Sequence, residues 1–272
     1  MNTSIHEAGR ALLALNNKVA LLGTMDDEGY PHLTFMNTIQ GFGERGLTFG
    51  QFCVGLSKAH LPRRPDCAFL ALGADKTWLH GRARYVRTAQ TGPEFDEYNN
   101  KPLFRYNSYV GINTVWYLDL LEISDMHNLA ALKIATGAIR SRLIAKSAAK
   151  SEAGALSPFS QALFSELAGP KFLCYANADG ALTILPVVQA CNAGTDRIVI
   201  SAAKELAQIP SGAKVAVYAL NLKMQNVLVK GVFARLGRGY AVDIQLVYNA
   251  MPPTSGYVYP KEARPAEVLV FE

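Results

Sequence analysis

The chain is poor in cysteine, and none of its cysteines lie close enough to act together. Cys53, Cys67, Cys174 and Cys191 are the only four in 272 residues, and no two form a CxxC pair. That spacing argues against a zinc knuckle or a dithiol redox motif and leads us to expect buried, reduced thiols. Long apolar runs are also missing: no stretch approaches the roughly 18 consecutive apolar residues of a membrane-spanning helix. The opening Met1-Asn-Thr-Ser-Ile-His-Glu shows no basic segment followed by an apolar one, so a soluble, cytoplasmic protein with no membrane partner is expected. Hydrolytic signatures are absent too, with no HExxH, no Ser-His-Asp ordering and no carboxylates paired at helical spacing. There is no P-loop, and Gly41-Phe-Gly43 with Gly46 lacks the strand-to-helix setting of a dinucleotide fold.

Charge of one sign is in modest excess, at +5. Residues 1–125 hold 12 Lys and Arg against 13 Asp and Glu, 126–156 hold 5 against 1, and 157–272 hold 10 against 8. Most of the excess therefore sits in a short middle segment. A duplex-binding surface needs many phosphate contacts from one folded face. No nucleic-acid partner is expected, and the middle segment reads as a solvated basic linker helix.

What the chain does have is a loose internal repeat, offset by about 150 residues. Gly29, Phe49 and Gly81 answer Gly180, Ile200 and Gly231 in order and nearly in spacing. Lys18-Val-Ala-Leu-Leu answers Lys171-Phe-Leu-Cys-Tyr, and Leu79-His-Gly-Arg-Ala-Arg answers Val229-Lys-Gly-Val-Phe-Ala-Arg. A repeat this long is a duplicated domain, not a solenoid unit. Each copy opens on a helix signal. Ser157-Pro158 caps Phe159, Leu163 and Leu167, and Ser4 precedes Ala8, Leu12 and Leu15. The period then falls to two, predicting strands at 18–25, 31–39, 46–51, 67–72, 77–88 and 114–123. In the second copy they fall at 171–177, 181–190, 196–201, 213–220, 225–236 and 241–248. Asp27-Glu-Gly29 and Asp179-Gly180 are tight hairpin turns.

The expected fold is mainly β with flanking helices: two tandem six-stranded antiparallel split β-barrels. The expected organisation is a first barrel at 1–125, a basic helical linker at 126–156 and a degenerate second barrel at 157–272. In the linker, Leu129, Leu132, Ile139 and Leu143 form an apolar stripe that would pack the helix across one barrel. The copies differ in two places. After Phe49 the first runs through Ser57-Lys58-Ala-His60-Leu-Pro-Arg63-Arg64-Pro65, which the second compresses to Ser201-Ala-Ala-Lys204-Glu-Leu. The first also carries an aromatic, polar insertion over Phe95 to Asn113. Ser57 and Lys58, at the start of a short helix with Arg63 and Arg64 behind, suit a phosphate dianion; the alternative is a surface loop.

Taken in order, Gly29-Tyr-Pro31-His-Leu-Thr34-Phe-Met36, Leu47-Thr-Phe49-Gly-Gln51, Ser57-Lys58, Arg64-Pro65 and Trp78-Leu-His-Gly81-Arg-Ala resemble the pyridoxamine 5′-phosphate oxidase-like FMN-binding split barrels. The resemblance covers roughly residues 10–125, with 157–248 as a degenerate copy. It implies FMN held between two barrels, as in a homodimer or here as an intrachain pseudo-dimer. It places Thr34 and Met36 on the strand lining the flavin ring, mainly through backbone, and Phe49 and Gln51 on the next. Gln51 stands where the family often has Thr. Ser57 and Lys58 match the phosphate-binding Ser and Lys, although the pair is adjacent and its spacing from Phe49 is stretched. Lys223, Gln225 and Asn226 would reach the flavin from the second copy.

The implied activity is an FMN-dependent oxidoreductase acting with a small-molecule substrate or electron donor. The alternatives are an F420-dependent reductase, or a non-catalytic carrier or sensor of flavin or haem. The family's substrate-phosphate pattern is not evident in Pro260-Lys-Glu-Ala-Arg264-Pro, which sets a true pyridoxamine-phosphate oxidase aside. Several residues also have plain structural readings. Thr34, Met36 and Phe49 serve equally as barrel core, Trp78 as packing, and His60 and His80 as isolated histidines. Asp26-Asp27-Glu28 reads as a polar turn. In the insertion, Arg105, Tyr106 and Tyr109 would cover the flavin, clamp an anionic substrate or seal a dimer contact. Loss of the Ser-Lys loop from the second copy implies one site per chain.

Overall fold

The computed structural model describes residues 1–52, 55–101, 111–148, 154–167, 169–221, 223–250 and 255–260. Cys53 and the predicted lid residues Arg105, Tyr106 and Tyr109 lie outside them.

Each copy of the repeat makes one antiparallel sheet. The first contains β1 (Val19–Met25), β2 (Pro31–Phe35), β3 (Gln40–Phe42), β4 (Gly46–Gln51), β5 (Asp66–Leu72), β6 (Thr77–Ala89), β7 (Thr114–Ile123) and β8 (His127–Asn128). The second contains β9 (Lys171–Ala176), β10 (Leu182–Pro186), β11 (Cys191–Ala193), β12 (Arg197–Ser201), β13 (Lys214–Leu220), β14 (Asn226–Leu236), β15 (Gly239–Asn249) and β16 (Gly256–Tyr259). The strand orders are β2-β1-β5-β6-β7-β4-β3 and β10-β9-β13-β14-β15-β12-β11, the same path shifted by eight. Symmetry breaks only at the last strand of each, since β8 pairs with β6 whereas β16 pairs with β15.

The six expected strands per copy are present, with two short ones added. The long strands expected at 31–39 and 181–190 each break partway. Ile39 N–H donates to the Met36 carbonyl and Ala190 N–H to that of Val187, closing a turn after which β3 and β11 begin. The repeated glycines have two causes. Gly29 and Gly180 sit at φ 78° and 81° in matching hairpin turns, a region that L side chains rarely adopt. A Cβ on Gly81 would lie 2.3 Å from the Glu122 carbonyl oxygen, and one on Gly231 2.2 Å from that of Asp243. Both glycines lie beside a register shift in their strand pair, where the backbones crowd.

Five helices flank the sheets among the described residues: α1 (Glu7–Ala14), α2 (Leu56–His60), α3 (Pro93–Asn100), α4 (Ala131–Ala148) and α5 (Pro158–Ser165). Ser157 caps α5 as expected, accepting from Ser160 N–H. The cap of α1 is His6, not Ser4: its ring nitrogen accepts from Gly9 N–H. After each of these helices a buried lysine turns back onto its carbonyl end. Lys18 Nζ donates to Leu15 O at 2.7 Å, and Lys171 Nζ to the carbonyls of Glu166, Gly169 and Val188. These are the two lysines that open the repeat, and each satisfies the C-cap carbonyl of its helix, Leu15 or Glu166.

Three large apolar cores result, with two small clusters beside them. Leu22, Phe49, Phe69 and Leu118 fill the first barrel, and Leu173, Val217, Val229 and Phe233 the second. A third core lies between them, where Leu21, Leu33 and Leu70 meet Phe172, Ile184, Tyr218 and Leu228. Alternate residues of one strand thus serve different cores: Leu22 points into its own barrel and Leu21 into the joint. This is why β1, β5, β9 and β13 read as unbroken apolar runs rather than as alternation.

The linker segment does pack across a barrel, with α4 lying on β11 and β12. The face it uses is not the expected one. Gly137, Ala138 and Ser141 are buried, whereas Leu132, Ile139 and Leu143 are 78%, 62% and 61% exposed. Small residues allow the helix backbone to approach β12 closely, and Ser201 N–H donates to Ser141 Oγ at 2.8 Å.

Candidate functional site

The duplication places two related regions at the joint between the sheets. One is built around β2 and α2 of the first barrel, where the sequence places a phosphate site. The other is built around β10, β12 and the short 3-10 turn Lys204–Leu206 of the second.

The first region is closely packed. Ser57 is 1% exposed, and its hydroxyl is hydrogen-bonded to that of Thr34. One turn on, His60 is bonded to Thr24 Oγ1 at 3.0 Å. His32 meets His60 and Tyr248 edge-to-face, with ring centres 5.5 and 5.2 Å apart. Beneath them, Lys230 of the second barrel reaches Asp26 of the first at 2.7 Å and the Tyr257 hydroxyl at 2.9 Å. Asp26 also accepts from Glu28 and Tyr30 N–H. The turn at 26–28 therefore carries a buried inter-barrel ion pair and is more than a polar surface turn. Burial first, and then the Lys230 ammonium, hold His60 down at about 4 and His32 well below its usual range. Both rings are neutral at physiological pH.

The other residues of the predicted site disperse. Met36 and Phe49 are buried in the first barrel's core, where Phe49 stacks on Trp116 at 5.7 Å between ring centres. Gln51 accepts from Trp116 Nε1 at 2.7 Å, so its side chain secures the same stack. Lys58 lies on α2, half-buried. Lys223 and Gln225 belong to the β13–β14 turn, and Asn226 opens β14. Lys223 N–H and Gln225 N–H donate to the Asn221 side chain, and Asn226 Nδ2 donates to the Met224 carbonyl.

The second region is an open cleft. A cavity of about 600 Å³ lies between the sheets, under α4. Its floor is Leu185, Pro186 and Val187 on and after β10, with Ser201 through Leu206 beyond. Counted from the paired turn glycines, Leu185 and Val187 are the second-copy counterparts of Thr34 and Met36. The run from Ser201 stands where the first copy leads into Ser57 and Lys58. Opposite them the first barrel supplies Trp78 and His127, with ring centres 4.6 Å apart. His80 lies on Trp78 as well, at 5.5 Å, and is pushed down to about 4 by burial and then by His127. Helix α4 completes the wall with Lys133, Gly137 and Arg140.

Three cations, Lys133, Arg140 and Lys204, thus line the cavity against one carboxylate, Glu205. The ion pairs among the described residues are made by other side chains. The site is a cleft of ligand size with an aromatic wall, an apolar floor and a positive rim. Among the described residues no group of His, Cys, Asp and Glu is arranged to hold a metal ion. Nor, among those residues, is any helix long and apolar enough to cross a membrane. This cleft is hard to see in the sequence because the Ser-Lys pair, the plainest chemical difference between the copies, lies in the other one. The available signal was the basic linker helix, packed against the copy that had lost that pair.

No protein-family model matches the chain, and no curated protein does. Solved structures with similar folds include an FMN-binding protein from Syntrophomonas wolfei subsp. wolfei, 16% identical over 44% of this chain and 84% of that one, with a TM-score of 0.38. An F420 reductase is 17% identical over 42% of this chain and 94% of its own, with a TM-score of 0.34. A FAD-binding protein from Mesorhizobium loti is 11% identical over 44% and 93%, with a TM-score of 0.32. Each match spans under half of this chain.

Proposed function

We propose that this chain binds a flavin-type cofactor, FMN or a related molecule such as F420, in the open cleft under α4, and uses it in electron or hydride transfer. The observation that carries this is the cavity of about 600 Å³ at the joint of the two sheets. It lies at the second-copy counterpart of the strand and loop that the family resemblance assigns to ring and phosphate. Its walls fit such a group: Leu185 to Val187 offer an apolar floor for a planar ring, Trp78 and His127 an aromatic flank, and Lys204 a cation for the phosphate. When bound, a flavin supplies reversible electron and hydride transfer at its ring; the protein binds, orients and shields it. Burial of the joint between the barrels excludes water from one side of the cleft, while Gly137 lets α4 close the other. No side chain is required as acid or base, which accords with the absence of a conventional catalytic constellation.

The Ser57–Lys58 pair is the weaker candidate, because the Ser57 hydroxyl is buried and already bonded to Thr34. Visible absorption of the purified protein, with mass analysis of any released chromophore, tests the proposal. The expected result is a flavin spectrum from the protein as isolated or after addition of FMN. Lys204→Gln should weaken FMN binding about tenfold, roughly 1.4 kcal/mol, and Ser57→Ala should leave it nearly unchanged. A protein that stays colourless with FMN and F420 present would overturn the proposal; a Soret band would reassign the cleft to haem.

A further inference from the structure

We infer that α4 adds a second anion subsite to this cleft, so that its ligands carry a phosphate or carboxylate beyond the one Lys204 meets. The inference rests on the cofactor reading of the cavity and deepens it. Lys133, Gly137 and Arg140 stand at i, i+4 and i+7, one face of a helix. Gly137 is the point of closest approach: a Cβ there would lie 3.1 Å from Gln189 Cβ and 3.2 Å from Ser201 Oγ. The two cations therefore flank the contact, about one turn to either side, some 10 Å apart along the helix axis at 1.5 Å per residue. Both line the cavity.

Lys204 belongs to the barrel itself and comes from the loop that corresponds to Ser57–Lys58. Helix α4 belongs to neither copy of the repeat, so its cations are an addition to the duplicated plan. A monophosphate on Lys204 leaves both cations still facing a cavity whose lining holds one carboxylate, Glu205, and the segment 126–148 contains no Asp or Glu to neutralise them. An arginine and a lysine held at a fixed separation on a helix suit a dispersed or second anionic group. That group has two sources: the tail of a longer cofactor with more than one acidic group, or a separate anionic substrate bound beside a mononucleotide.

The test uses the full chain, wild type and the double variant Lys133→Gln/Arg140→Gln, with riboflavin, FMN, FAD and F420 titrated by fluorescence. Inorganic phosphate and pyrophosphate are titrated into the FMN-loaded protein. Both residues are exposed, so the thermal transition of the variant should match wild type. In the first arm, FAD or F420 binds wild type at least tenfold more tightly than FMN, and the variant loses that advantage while keeping FMN within threefold. In the second arm, the longer cofactors gain nothing, but phosphate or pyrophosphate binds the FMN-loaded wild type and binds the variant at least tenfold more weakly. Either result supports the subsite and names its source. The inference is overturned if neither preference exists in wild type, or if the variant retains it. If no flavin binds wild type but pyrophosphate binds it and not the variant, the subsite stands and the cofactor assignment falls.

Discussion

A lysine in the middle of an apolar strand is costly unless an anion meets it, and Lys230 meets Asp26 from the other barrel with both side chains out of water. Leaving either charge alone there is worse than removing both. Lys230→Met should therefore lower unfolding stability by about 3–5 kcal/mol, and adding Asp26→Asn should recover part of the loss. Urea denaturation of both variants checks this; a cost below about 1 kcal/mol for the single variant would show that the pair is solvated. The neighbouring histidines set a pH response. Folded His60, surrounded by Lys230, Asp26, Asp27 and Arg63, titrates near 4. An unfolded histidine titrates near 6.5. Between those values the unfolded chain binds more protons, so stability is complete above pH about 6.5 and declines as pH falls toward 4. His32, beside Lys230, His60 and Lys58, and His80, beside His127 and Glu122, act in the same direction. Denaturation midpoints between pH 7.5 and 4.5 should show the decline, and His60→Asn should make it shallower; an equal slope in the variant would remove His60 from the account. Little of this was legible in the sequence. Asp26 looked like one acid among three in a turn, and only the lone cation in Val227-Leu-Val-Lys230-Gly hinted at a buried partner.

Among the elements, strands were easier to foresee than faces. Period-two runs and turn glycines located ten of the twelve main strands within a residue or two, while those expected at 31–39 and 181–190 end four residues early, at Phe35 and Pro186. The breaks at Met36–Ile39 and Val187–Ala190 were hidden because both sides of each turn are apolar. Helix α4 was placed correctly but turned the wrong way. Helical periodicity finds a stripe, and an apolar stripe is ordinarily assigned to the core. Here close approach to β12 required Gly137, Ala138 and Ser141 instead. The two orientations make opposite predictions for substitution. Ile139→Lys should change stability by less than about 0.5 kcal/mol, since it alters an exposed position. Gly137→Val should cost about 1–3 kcal/mol by overpacking against Gln189 and Ser201. Because Gly137 also borders the cavity, the same variant should weaken flavin binding. Thermal melts with FMN titration read both effects, and the reverse ranking of the two variants would mean that the apolar stripe, not Gly137, faces the barrel.

At the scale of the whole molecule, the apolar runs of β1, β5, β9 and β13 carry the largest consequence. Each such strand is covered on both faces, once by its own barrel and once by the other. The joint buries Leu21, Leu33, Leu70, Phe172, Tyr218 and Leu228 almost completely, at roughly 1.5–3 kcal/mol for each side chain withdrawn from water. Polar ties cross it as well. Lys214 Nζ donates to the Glu28 carbonyl, Arg82 pairs with Asp179, and Lys230 pairs with Asp26. A joint with that content does not behave as a loose contact between domains. The full chain should therefore unfold in one cooperative transition, with near-UV and far-UV signals changing together and calorimetric and van't Hoff enthalpies agreeing. Residues 1–125 expressed alone would expose the first barrel's half of the joint, and should pair with themselves or precipitate. Two resolved transitions in the full chain, together with a stable monomeric 1–125, would mean that the barrels are independent and that the cleft between them is free to open.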